Sequence, residues 1–203
     1  MAGVEQNKSA ALRKIALATL LLSAVSCGSS DYSGPPRSQD DVCAIFAERP
    51  EWRDAMEASA LKWNAPIDVQ MAIMWRESSF RAEARPPKTY FAGVIPTGRV
   101  SSAYGYAQAI DGTWDWYRKD TGNSGADRND FDDASDFVGW YMSRTVRSNG
   151  VSMKDAYNQY LNYHEGHAGF RKGRWRKKTW LLEAANAVSV QAARYRSQLN
   201  RCG

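Results

Sequence analysis

Histidine and cysteine are scarce in this chain: its 203 residues include two of the first and three of the second. Three cysteines are too few for a disulfide-built scaffold, and two histidines leave a His-rich metal site short of ligands. Membrane-spanning runs are missing as well. The apolar run Ile15–Ala24 has ten residues, too short to cross ~30 Å of hydrocarbon as a helix. No strand pattern rivals the helical periodicities, and there is no internal repeat. Charge of neither sign dominates, with 27 basic against 22 acidic side chains, 43% hydrophobic and 24% charged residues. These averages exclude wholesale disorder, collagen and a polytopic membrane protein. A chain of this length suits one domain with ends, burying roughly 70% of its unfolded surface.

The first 26 residues stand apart. Lys8, Arg13 and Lys14 precede the short apolar run, and small residues then lead to a cysteine in Ala24-Val25-Ser26-Cys27-Gly28. A basic start, a short apolar core and small residues before a cut are the marks of an export signal. The segment resembles the bacterial lipobox, in which Cys27 becomes the lipidated first residue of the mature protein. Ala24 stands where that motif usually has leucine. An ordinary signal peptide cut nearby, or a short membrane anchor, is the alternative. Residues 1–26 are thus expected to be a lipoprotein signal peptide and residues 27–41, small, polar and proline-bearing, a flexible tether. The domain proper is expected at residues 42–203. Without the signal the chain carries a net charge of +3, a mild excess suited to an anionic glycan or lipid phosphate. Export removes nucleic acid from the expected partners. It also gives Cys43 and Cys202 a meaning, because in an oxidising compartment the two can bridge the domain's ends; two unrelated buried thiols are the other reading.

Helix signals dominate after residue 41. Asp40 or Asp41 caps a helix over Val42–Glu48, Trp52, Met56, Ala60 and Trp63 recur at helical spacing, and Pro66 opens a helix over Ile67–Ser79. Residues 81–102, with Pro86, Pro87, Gly93, Pro96 and Gly98, read as a long loop of the kind kept for a function. Further helices are expected over Gly112–Lys119 behind Asp111, from Asp132 or Asp133 to Val146, after a capping box beginning at Ser152, and over Trp180–Leu199. The fold class is mostly α, with six or seven helices.

Val69, Ile73 and Glu77 fall at i, i+4 and i+8, so an acid continues an apolar helix stripe. A carboxyl group aimed into apolar surroundings holds its proton near neutrality, the state needed to protonate a glycosidic oxygen. A frayed helix end with Glu77 paired to Arg76 is the bland alternative.

Glu77-Ser78-Ser79-Phe80 resembles the Glu-Ser-x-Phe motif of soluble lytic transglycosylase (SLT) domains, which belong to the lysozyme-like superfamily. Two blocks follow in the family's order: Ala103-Tyr104-Gly105-Tyr106-Ala107-Gln108 with Thr113 behind it, and Tyr163-His164-Glu165-Gly166. The resemblance covers Val69–Gly169 and implies a lysozyme-like single domain with a long loop over the cleft. It implies Glu77 as the sole catalytic acid/base, Gln108 bonding the glycan, Tyr163 orienting Glu77 through its hydroxyl, and Gly105 letting backbone approach the sugar. Ser102, or Ser101, stands in for a serine whose strict position falls on Arg99, and Glu165 is expected to touch substrate. Tyr106-Ala107 replaces the family's Leu-Met, which is expected to reshape that wall of the groove. The implied activity is non-hydrolytic cleavage of the MurNAc-β-1,4-GlcNAc bond of peptidoglycan to a 1,6-anhydro end, without cofactor or metal.

The rival readings are a hydrolytic muramidase of the same fold, with Asp111 or Glu165 as a second carboxylate, and an inactive glycan-binding lipoprotein. His164 and His167 are three apart, whereas the helical zinc motif needs four. The basic run from Arg171 to Lys178 reads as a solvated face or a holder of carboxylates and phosphates. Trp114 and Trp116 are the tryptophans expected in the groove, with Trp52 and Trp63 in the core. The expected product is a monomer anchored through Cys27 and facing the periplasm, on the outer membrane because Gly28 rather than aspartate follows the cysteine.

Overall fold

The structure, a computed structural model, describes residues 34–202. Residues 1–33, on which the expected signal segment and Cys27 fall, lie outside the described residues. Among the described residues seven α-helices follow one another: α1 (Val42–Glu48), α2 (Pro50–Trp63), α3 (Ile67–Ser78), α4 (Asp111–Thr121), α5 (Phe131–Asn149), α6 (Ala156–Arg171) and α7 (Thr179–Cys202). A 3-10 helix, Arg174–Lys177, precedes α7, and two short strands, β1 (Lys88–Phe91) and β2 (Ile95–Arg99), lie between α3 and α4. The fold is mostly helical, as the periodicities imply, and consistent with the lysozyme-like single domain that the motif resemblance implies.

Local chemistry sets the helix limits. The Asp41 carboxylate accepts from the backbone N–H groups of Cys43 and Ala44 at the start of α1, and Pro50 occupies the first turn of α2, where its missing N–H costs nothing. Gly122 and Gly150 end α4 and α5 in the left-handed region. Some expectations need correction. The α6 capping box at Ser152 is a turn instead, with Ser152 Oγ accepting from Lys154 N, while Asp155 caps the helix by accepting from Asn158 N. Asp111 lies inside the first turn of α4, drawn there by an ion pair with Arg128 at 2.9 Å. Asp130, rather than Asp132 or Asp133, caps α5.

The expected loop 81–102 contains an antiparallel hairpin in which Lys88 pairs with Arg99 and Phe91 with Ile95. Both strands are exposed on both faces. Such a ribbon has no buried side to impose the alternation by which strands are recognised in sequence.

The centre of the core is α3, whose residues from Asp68 to Met74 are all buried between α7, α2, α5 and α6. Its buried polar groups are satisfied: Asp68 accepts from Arg196 at 2.8 Å, and Gln70 accepts from Ser59 while donating to Ala65 O, each at 2.8 Å. Residues 34–41 are strapped to the domain rather than loose. Gly34 O accepts from Arg49 Nη2, Arg37 N donates to Glu48, Gln39 O accepts from the Tyr195 hydroxyl, and Gln198 bonds both Asp40 O and Val42 N.

Cys43 and Cys202 form a disulfide across a sequence separation of 159 residues, with Cα atoms 6.0 Å apart. It ties α1 to the end of α7. Cys202→Ser is therefore expected to lower stability by about 2–5 kcal/mol, chiefly by freeing the unfolded chain. Urea unfolding checks this, and reductant is expected to bring the parent protein down to the midpoint of the variant.

Candidate active site

Glu77 occupies the last turn of α3. Beyond it the chain turns sharply: Ser79 and Phe80 both have positive φ, 52° and 57°. Ser79 N still bonds Trp75 O, and Ser78 Oγ folds back onto Met74 O. Phe80 is buried in an aromatic cluster with Trp52, which in turn stacks on Phe131 at 3.9 Å. The serine and phenylalanine of the Glu-Ser-x-Phe motif thus anchor the helix end, and the strained backbone aims the acid.

The acid opens into a cleft of about 520 Å³, a size ordinary for a small-ligand site. One wall comes from residues 101–113, through Ser101, Ala103, Gln108, Ala109, Ile110 and Thr113. The other comes from α5 and α6, through Phe137, Tyr141, Tyr163, His164, Glu165 and Gly166. Glu77, Gln108, Tyr163 and Glu165, named from separate sequence blocks, meet here.

Burial pushes the Glu77 carboxyl up to about 7, against the opposing pull of a Tyr160 hydrogen bond and the Arg76 charge. Near neutrality it exchanges readily between acid and carboxylate. Tyr160 and Tyr163 are both shifted upward, first by burial and then by the charge of Glu77. Their hydroxyls therefore remain protonated donors throughout the range in which Glu77 titrates.

The tyrosine roles differ from expectation. Tyr163 does not spend its hydroxyl on Glu77; it donates to Ala107 O at 2.5 Å and pins α6 to the opposite wall. Tyr160, one turn earlier on α6, is the tyrosine whose hydroxyl acts on Glu77, drawing its pKa down against the effect of burial. Three-residue spacing brings the two onto one helix face, and that spacing was the available signal for Tyr160.

Gln108 has a positive φ of 48°. Its Nε2 donates to Ala84 O at 2.8 Å and Gly105 O at 2.9 Å. Both donor hydrogens are engaged inward, so the amide oxygen is the group it has for a ligand.

Other expectations are corrected by packing. Gly105 does not line the cleft; its φ is +78°, and a Cβ there would lie 1.9 Å from Arg128 O. The glycine serves a backbone crossing inside the wall. Ser102 also turns away, accepting from Asp111 N at 3.1 Å, and Ser101 is the serine on the cleft. Tyr106 and Ala107 are buried beneath the wall rather than forming its surface. Trp114 is a core residue, packed on Tyr117 and Phe137, while Trp116 lies outside the cleft against Trp140. No local pattern marks Arg128 as part of the site. Its guanidinium donates to Ser102 O and Ala109 O and pairs with Asp111, clasping the wall that carries Gln108.

Glu165 is buried and bonded by the Lys178 ammonium, with His164 Nδ1 3.4 Å away. Burial alone would push its carboxyl up, but Lys178 and His164 together hold it below the usual range. Lys178 is thereby set apart from the basic run: it bonds the cleft residue Glu165, while Arg171 bonds Asn149 and Arg176 covers Trp175. Between the two histidines Gly166 breaks the helix at φ 71°, ψ 156°. His164 packs on Trp180, and His167 stacks on Tyr141 with Thr145 Oγ1 at 3.1 Å. Among the described residues no group of three or more acidic, histidine or cysteine side chains is arranged to hold a metal ion.

An acid poised to give and take a proton, one tyrosine hydroxyl acting on it and an amide acceptor on the same groove are equipment for cutting an acid-labile bond in a polar chain. No curated protein matches the sequence. The family described as Transglycosylase SLT domain matches residues 15–202, and the chain belongs to that family.

Proposed function

We propose that this protein is a peptidoglycan lytic transglycosylase that cuts the MurNAc-β-1,4-GlcNAc bond with Glu77 as its single general acid/base. Family membership supports peptidoglycan as substrate. The observation that carries the residue assignment is the half-buried acid lining a cleft with Gln108, its carboxyl pushed up to about 7 by loss of water.

Glu77 gives its proton to the glycosidic oxygen, and the GlcNAc side leaves as an alcohol. The muramic 2-acetamido group stabilises the cation developing at C1. The Glu77 carboxylate, held by the Tyr160 hydroxyl, then takes the proton of the C6 hydroxyl, whose oxygen closes on C1. Glu77 returns to its starting state, and the product carries a 1,6-anhydro ring. One carboxyl group serves both steps, whereas a hydrolase needs a second to act on water or on C1.

Sacculi digested with the enzyme are expected to release ends lighter by one water than reducing ends. The second reading, a muramidase, is favoured by one observation: Glu165 is an ionised carboxylate on the same cleft. Reducing ends would select it. A glycan-binding lipoprotein without turnover would release neither.

The acid form of Glu77 starts the reaction, so kcat/KM is expected to fall about tenfold per pH unit above about 7. The Tyr160 bond lowers the Glu77 pKa; Tyr160→Phe is expected to move that alkaline limb to higher pH. A pH profile of both proteins checks the direction, and an unmoved limb would remove Tyr160 from contact with the acid.

The lipobox at Ala24–Gly28 and the Cys43–Cys202 bridge support export and a lipid anchor at Cys27. We place the domain, as a monomer, in the periplasm at the outer membrane.

A further inference from the structure

The hairpin of β1 and β2 stands clear of the cleft. Pro86 and Ser101 at its feet line the groove, but residues 88–99 do not. Its tip is apolar and bare, with Phe91 67% and Val94 76% exposed and Tyr90 and Ile95 more than half exposed. Successive strand residues face opposite sides, so Tyr90 and Phe91 place apolar surface on both faces of the ribbon. A shaped protein groove covers one face of such a ribbon. A fluid apolar medium surrounds the whole tip.

Charge selects the kind of medium. From Ala84 to Ile110 there is no aspartate or glutamate, while Arg85, Lys88 and Arg99 are basic. Lys88 and Arg99 pair in register at the open end of the hairpin, behind the tip. Apolar side chains ahead of a cationic collar match an anionic bilayer, whose headgroups meet the collar while its acyl chains meet the tip.

We propose that the hairpin tip, residues 90–95, is a membrane-docking element that seats the domain on an anionic bilayer surface. Penetration is shallow. A two-stranded ribbon has outer edges with unpaired N–H and C=O groups, which hydrocarbon does not satisfy. The tip therefore stops at the headgroup–acyl boundary, about 5–10 Å deep, with Tyr90 at the interface, where tyrosine is favoured. This goes beyond the proposed glycan chemistry and does not depend on it.

The test uses the full chain with Cys27→Ser and Val94→Cys, so that the one thiol outside the Cys43–Cys202 bridge takes an environment-sensitive fluorophore. A second protein carries the label at Leu61→Cys, 89% exposed on α2. Any attachment through the N-terminal apolar run brings both labels to the vesicle alike. With phosphatidylcholine vesicles containing phosphatidylglycerol, the tip label is expected to shift blue and to be quenched severalfold more than the Leu61 label by acyl-chain spin labels. The shift is expected to shrink in phosphatidylcholine alone and in high salt. A silent tip label, or equal responses at both sites, overturns the proposal. So does a tip shift that needs no lipid and follows protein concentration or added glycan, which assigns the hairpin to a second copy or to the substrate.

Discussion

Glu77→Gln is expected to lose activity on sacculi by about a hundredfold to ten-thousandfold, the contribution usual for one acid/base group. The glutamine keeps the size and much of the hydrogen bonding of the acid but has no proton to lend. The same substitution is expected to change stability in the opposite sense, and only at one end of the pH scale. The folded protein holds the Glu77 proton up to about 7, against 4.5 for an ordinary glutamate. The fold therefore binds that proton more tightly than the unfolded chain does. Its stabilising contribution is whole below 4.5 and is lost as pH rises to about 7. Above 7 the buried carboxylate costs about 3 kcal/mol, which the glutamine does not incur. Urea unfolding at pH 8 is expected to find the variant more stable than the parent, with the difference vanishing near pH 4. A variant that lost activity without this pH-dependent gain would place Glu77 outside the buried, proton-holding environment. An activity unchanged by the substitution would remove it from the mechanism.

Gly105→Ala is expected to destabilise the fold by about 3–6 kcal/mol, from left-handed backbone strain, overpacking and a lost backbone hydrogen bond. The added methyl group would lie 1.9 Å from Arg128 O, the same oxygen that accepts from Tyr106 N at 3.2 Å. Neither backbone can yield without opening the wall that carries Gln108. Thermal unfolding measures the loss. If the glycine instead gave a sugar room to approach, the variant would unfold like the parent and show a raised KM. The two roles therefore separate in a pair of measurements.

Much of this architecture is written in short-range chemistry. Asp41, Pro50, Pro66 and Gly150 mark helix limits because caps and breakers act within a turn of themselves. Glu77, Gln108 and Tyr163 share a cleft, as the order of their three motifs implies. What stayed hidden depends on contacts between distant parts of the chain. The Arg128 grip on Ser102 and Ala109, the crossing of Gly105 over Arg128 O, and the pairing of Lys178 with Glu165 leave no local pattern. Tyr160 was masked by its neighbour, since the motif points to Tyr163 and the two lie on the same helix face. The hairpin was missed for a physical reason of its own: with both faces in solvent it has no core to write itself into the sequence.

The central claim is that one carboxyl group moves a proton out and back while no water enters the product. Digesting sacculi in water enriched in heavy oxygen and weighing the released ends tests it most directly. The account predicts anhydro ends carrying none of the solvent's label. One labelled oxygen at each new reducing end would contradict it.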